Sequence, residues 1–144
     1  MTTRISRKYD YSDLDLDFIA HPTTGDVMKK TGVDAIRRSV RNLVLTNFYD
    51  RPFQPWIGSN AQRLLFENAN PLTAGFLKDA IIEVITNYEP RVRVDKVDVK
   101  FDYDNNGYNT TIYFTILNSG EPIVSTLFLE RIRWQQIPHW EYRK

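Results

Sequence analysis

Three glutamates are the first candidates for chemistry. Two carboxyl groups flanking a sugar linkage suffice for glycoside hydrolysis, about 5 Å apart for a retaining reaction and further apart for an inverting one. Glu67, Glu83 and Glu89 could supply such a pair. Glu67 closes a short helical stretch, and Glu83 lies off the apolar stripe of its own helix, so neither context withdraws a carboxyl from water. Glu89 has Arg91 two residues on, and an ion pair there holds the carboxylate charged, the opposite of what a general acid needs. No serine stands in a Gly-x-Ser-x-Gly setting, neither His21 nor His139 has an evident orienting acid, and no Gly-rich phosphate loop is present. No catalytic residue is predicted.

Metal-ligand spacings fare similarly. Asp102, Asp104, Asn106 and Gly107 match the opening of an EF-hand calcium loop, yet its twelfth position is Tyr113 and its flanks alternate like strands. A hairpin is the better reading. Asp13, Asp15 and Asp17 are spaced like ligands but lack a glycine or a closing acid, and read as the wet face of a strand. Neither metal nor cofactor is expected. Arg37, Arg38 and Arg41 form a basic helix face, either solvated or set against an acidic partner. With a formal net charge of +1 and no binding motif, neither nucleic acid nor an anionic membrane is an expected partner. The absence of cysteine excludes disulfides and thiolate sites, and suits a reducing cytoplasm. No apolar run approaches a membrane span, and the basic start Met1–Lys8 has no apolar stretch behind it, so no signal peptide is expected.

The elements that position these residues follow from periodicity. At 144 residues, 42% of them hydrophobic and 26% charged, the chain has the size and balance of one folded domain. Residues 1–32 are polar and turn-rich. Leu14, Leu16 and Phe18 alternate with aspartates as in a short half-buried strand; His21–Asp26 reads as a turn, and Val27-Met28 as the start of a second strand. Such an arm is too poor in apolar residues to fold alone. From residue 33 the period turns helical, with Val33, Ile36, Val40, Leu43 and Val44 on one stripe. Arg51–Trp56 holds two prolines and predicts a rigid loop.

Ser59, three residues before Gln62, has the capping-box spacing and opens a short helix through Leu65. Asn70-Pro71 opens a third helix whose stripe is Phe76, Leu77, Ala80, Ile81, Val84, Ile85 and Tyr88, ended by Pro90. Beyond Val92 the period is two. Val97, Val99, Phe101 and Tyr103 share a face, whereas Val92 and Val94 are out of phase, which predicts a bulge near Asp95-Lys96. Asn106-Gly107 signals a hairpin, residues 118–122 a second turn, and Ile123–Ile132 a third strand. The expectation is an α+β fold: an N-terminal arm (1–32), a domain of about three helices packed on a small antiparallel β-meander (33–132), and a tail (133–144) carrying Trp134 and Trp140. A ten-residue edge strand exposes about 33 Å of unpaired backbone, which proteins either blunt or use to pair with another chain.

Arg51-Pro52-Phe53, Leu64-Leu65-Phe66-Glu67, Pro71-Leu72-Thr73-Ala74 and Asn87-Tyr88-Glu89-Pro90-Arg91, in this order and spacing, resemble the sheath-initiator family of baseplate wedge proteins. That family occurs in contractile-tailed phages and related injection machines, and the similarity runs over roughly residues 14–132, the His21–Val27 turn included. The resemblance implies a domain similar to the C-terminal domain of a tail sheath protein, offering sheet edges for strand exchange with the first sheath ring. It implies contacts with other wedge proteins through Leu64, Phe66, Glu67, Glu89, Pro90 and Arg91, and with the sheath protein at a sheet edge, that of residues 97–103 or that of residues 123–132, where Val124, Thr126, Phe128 and Glu130 would meet it. It places the protein in the virion, at the tail baseplate, assembled in the host cytoplasm, with tube or hub proteins as further neighbours. Some family members carry an old lysozyme label, so a small peptidoglycan hydrolase is the alternative function, and a general peptide-binding adaptor a third. Independently of the resemblance, Glu89 and Arg91 are expected to fix the corner between helix and strand through a salt bridge or backbone hydrogen bonds, or to contact a partner directly.

Overall fold

The computed structural model describes residues 11–14 and 19–131. Leu16, Phe18, His139, Trp134 and Trp140 therefore lie outside the described residues. The chain divides between Arg41 and Asn42 into two compact units.

In the first unit, β1 (Ser12–Leu14) pairs antiparallel with β2 (Lys29–Thr31). The expected turn is present: the His21 N–H donates to the Asp26 carbonyl at 2.7 Å, and the Gly25 N–H to the His21 carbonyl at 2.9 Å. Val27 makes only an isolated bridge with Ala20, so the second strand begins two residues later than the sequence predicts. Helix α1 (Val33–Leu45), within which the division falls, starts with Asp34 in its first turn, where a carboxylate suits the helix dipole and here accepts from Arg37. Ile36, Val40, Leu43 and Val44 are buried, as their spacing requires.

The second unit holds one turn of helix, α2 (Ala61–Leu64), a long helix, α3 (Pro71–Tyr88), and the strands β3 (Val92–Asp102), β4 (Gly107–Ile116) and β5 (Pro122–Glu130). The strands form an antiparallel sheet in the order β3-β4-β5, with α3 packed on β3. Asn70 caps α3 by accepting the Thr73 N–H at 2.7 Å, and Pro71 takes the first helical position, where no donor is lost. Leu77, Ile81, Val84 and Ile85 face the core, opposite the inward row Tyr108, Ile112, Phe114 and Ile116 of β4. Each of these aliphatic and phenylalanine side chains gains about 1.5–3 kcal/mol from leaving water, whereas the Tyr108 hydroxyl is buried without a hydrogen-bond partner among the described residues, which offsets part of its gain.

Three sequence expectations need correction. Phe76 is 52% exposed, because the buried stripe of α3 passes through Thr73 instead, whose hydroxyl donates to the Asn68 carbonyl. The capping box at Ser59 does not form. Ser59 is buried with its hydroxyl donating to the Val44 carbonyl at 2.7 Å, and Gln62 bonds Asn47, so Asn60 precedes α2 without a side-chain cap. The β3–β4 hairpin has a four-residue loop, 103–106, closed by the Asp102–Gly107 pair, and positive φ falls on Asn106 alone of the two predicted turn residues. Gly107 is needed for space: a Cβ there would collide with the Phe128 ring and lie 2.7 Å from the Leu129 carbonyl oxygen. The predicted bulge is present, as a register shift between Val94 and Lys96, with Asp95 accepting the Thr115 hydroxyl proton at 2.6 Å.

Candidate partner-binding surfaces

β4 is the central strand, so β3 and β5 each have one side without a strand neighbour among the described residues. The bonds of Ile116 N–H to Glu121 O and of Arg131 N–H to Asn106 O fix which β5 residues bond inward. In an antiparallel ladder bonded and non-bonded pairs alternate. The Ile123, Ser125, Leu127 and Leu129 backbones therefore face β4, while Val124, Thr126, Phe128 and Glu130 turn their N–H and C=O groups to the open side. The same four carry exposed side chains, against a buried alternate set. Among the described residues, no strand pairs with the outward backbone groups of these four residues.

The same alternation turns Val97, Val99 and Phe101 of β3 outward, since their neighbours Lys96, Asp98 and Lys100 bond to β4. This edge borders a groove of about 450 Å³ between β3 and the start of α3, lined by Pro71, Ala74, Lys78, Val99, Phe101 and Tyr103 among others.

At the other end of α3, the Glu89 carboxylate is 2% exposed and takes both Arg91 donors, Nε at 2.5 Å and Nη2 at 2.6 Å. The corner is completed by Glu89 N–H to Ile85 O and Leu117 N–H to Arg91 O. This bidentate pair fixes the helix-to-strand corner, as the spacing predicts. It also means that Glu89 is an internal brace, and that Pro90 and the partly exposed Arg91 form the outer face of the corner.

Of the third expected group, Leu64 is half-buried while Phe66 and Glu67 are exposed. Their backbone is held by Arg131, immediately after β5, whose guanidinium donates to Leu65 O at 3.3 Å and Glu67 O at 2.7 Å. Nothing in the sequence marks Arg131 for this role, because its partners are carbonyls more than sixty residues away.

A fourth surface was legible only as a rigid loop. Residues 46–59 close on themselves through Ser59 N–H to Thr46 O and Tyr49 N–H to Pro55 O, and Tyr88 Oη ties the loop to α3 by donating to Trp56 O at 2.7 Å. Tyr49, Phe53 and Trp56 stand 84, 93 and 61% exposed. Aromatic residues interleaved with Pro52 and Pro55 were the available signal.

Residues 30–119 match the family model described as Baseplate wedge protein gp25. The chain belongs to the baseplate wedge protein gp25 family. It is 32% identical over 113 residues to Baseplate wedge protein gp25 of Enterobacteria phage T4, covering 78% of this chain and 85% of that protein. Among solved structures, a chain of the anti-feeding prophage baseplate superposes with a TM-score of 0.59 at 19% identity, over 86% of this chain and 88% of its own. A chain of the post-contraction pyocin R2 baseplate gives 0.51 at 15%, over 82% and 98%. A Geobacter sulfurreducens protein described as a tail lysozyme gives 0.66 at 17%, over 70% and 92%. At these identities the likeness is one of fold.

The gp25 family match contains the corner and the α2 turn and ends before β5. Glu67 and Glu83 are exposed, and Glu89 has both oxygens occupied by Arg91, leaving neither to protonate a leaving group. Among the described residues no cluster of three or more acids and histidines could hold a metal, and no helix is long and apolar enough to cross a membrane.

Proposed function

We propose that this gp25-family chain is a structural component of a contractile-tail baseplate that joins wedge proteins and nucleates sheath polymerisation. The observation that carries this reading is the β5 edge. Val124, Thr126, Phe128 and Glu130 direct backbone donors and acceptors away from the sheet, with exposed side chains between them. An extended segment of the first sheath ring adds there as a further strand, its main chain supplying affinity and its alternate side chains specificity. On this reading the domain is similar to the C-terminal domain of the sheath protein and presents the first ring with a copy of the acceptor found on every sheath subunit. Leu64, Phe66, Glu67 and the Glu89–Arg91 corner face the wedge, and tube or hub proteins lie close by. The protein acts in the virion tail after assembly in the host cytoplasm, without cofactor or metal.

Electron microscopy of particles assembled without this protein, then with it restored, tests the reading. Baseplates and tubes bare of sheath until restoration are expected; normal sheath growth in its absence would overturn it. The hydrolase alternative predicts clearing in a murein zymogram that vanishes in Glu67→Gln or Glu89→Gln. The occupied Glu89 carboxylate argues for no clearing at all.

A further inference from the structure

The loop of residues 46–59 is built to hold apolar side chains in water. Gly58 lies so close to the Asn47 and Phe48 backbone that any Cβ would clash, which draws the loop shut at its base. Tyr49 has φ of +72°, a conformation that bulky residues rarely adopt and that is kept where the surroundings enforce it, often at functional sites. The bond from Tyr49 N–H to Pro55 O holds it so, and its ring is left outward. Beside it runs a groove of about 400 Å³ walled by Phe48, Tyr49 and Phe66, with Arg63 as the one charged residue in its lining. Arg63 is exposed and has no acidic partner among the described residues.

We infer that this aromatic loop and groove form the principal wedge-docking surface, receiving an apolar segment of another wedge protein that carries an acidic residue opposite Arg63. The inference rests on the proposed wedge role and gives it a location and a chemistry. Three observations select this occupant. Tyr, Trp and Arg in a pre-formed setting are the residue types that carry most binding energy at protein interfaces. The groove includes one expected wedge contact, Phe66, in its wall, and the loop beside it is tied through Trp56 to Tyr88, the residue before Glu89-Pro90-Arg91. Its single lining charge is positive and has no acidic partner among the described residues, which suits an acid. A second copy of this chain fits less well, because an isologous contact across the groove would set Arg63 against its own mate.

Hydroxyl-radical footprinting of Tyr49, Phe53 and Trp56, in the purified chain and in isolated baseplates, reads the surface directly. At least fivefold protection in the baseplate is expected. Arg63→Glu should lower incorporation into baseplates about tenfold while Arg63→Lys preserves it, both folded by circular dichroism, and Phe53→Ser should behave like Arg63→Glu. Side chains as reactive in the baseplate as in the free chain overturn this inference alone, as does equal incorporation of Arg63→Glu and Arg63→Lys. Protection that arises in the purified chain together with a dimer assigns the surface to a second copy and overturns it too. Absence of the wild-type chain from baseplates overturns the proposed function along with it.

Discussion

Gly107 begins β4 at a point where β5 leaves no room for a side chain. Phe128 lies across the space where its side chain would be, and the Leu129 carbonyl closes the other side. A single methyl group there must displace backbone as well as ring. Gly107→Ala is therefore expected to destabilise the protein by about 1–3 kcal/mol, the range for an overpacked site, as measured by urea unfolding. A neutral effect would show that β5 can move away at little cost. Five residues earlier, the Asp102 carboxylate accepts the Asn105 side-chain amide at 2.9 Å, the Asn105 and Asp104 backbone N–H groups, and the Asn109 amide. These bonds, the Asn105 side chain foremost, hold its ionisation below the ordinary aspartate range. A depressed carboxyl stabilises the fold at pH above its unfolded value of about 3.9, and that contribution is lost as pH falls through the lower folded value. An NMR titration of Asp102 should accordingly show a midpoint below that of an unstructured aspartate, with the turn amides of 103–106 losing protection only in acid. A midpoint at the unstructured value would mean that the turn bonds do not persist in solution.

The helix and strands illustrate what sequence pattern conveys. Alternation revealed β3, β4 and β5, and even the bulge at Asp95, because a phase change along a half-buried strand has few other solutions. Helical period located α3 but misjudged one border of its buried face, since Phe76 and Thr73 differ in polarity in the opposite sense to their burial. Thr73 is accommodated by its hydrogen bonds to Asn68 and Asn70, a tertiary detail that hydrophobicity does not encode. Ile81→Ala should cost about 2–5 kcal/mol and Phe76→Ala about 0.5 kcal/mol or less in the same denaturant titration. Similar losses at both sites would indicate that the α3 face is assigned wrongly. At the β5 edge, Thr126→Pro removes an outward N–H that no residue of this sheet uses, and proline is tolerated on edge strands. The variant is expected to fold and to enter baseplates, yet to leave them without sheath. Ser125→Pro, one residue away, removes an inward donor and should unfold the β4–β5 pairing instead; sheath growth on Thr126→Pro baseplates would rule out the β5 edge as the acceptor.

At the scale of the molecule, the partner surfaces differ in how far sequence could find them. The side-chain face of Val124, Thr126, Phe128 and Glu130 was readable from alternation, whereas the direction of their backbone groups follows from the bonds between β4 and β5. Motif resemblance pointed to Glu89-Pro90-Arg91, but not to the burial of its acid, which depends on what packs over the end of α3. Nothing in the sequence distinguishes Tyr49 and Arg63, since exposure and a positive φ are properties of the folded loop. Arg131 adds a mechanical property to this arrangement. Its backbone continues the β5 ladder through Asn106, and its guanidinium grips the carbonyls of Leu65 and Glu67. Tension along β5 is thus delivered through one side chain to the turn that carries Phe66. The ladder bonds lie across the direction of that pull, so they share the load in shear instead of peeling apart one after another. A joint of this kind resists a sudden stroke along the strand far better than one tugged from its side.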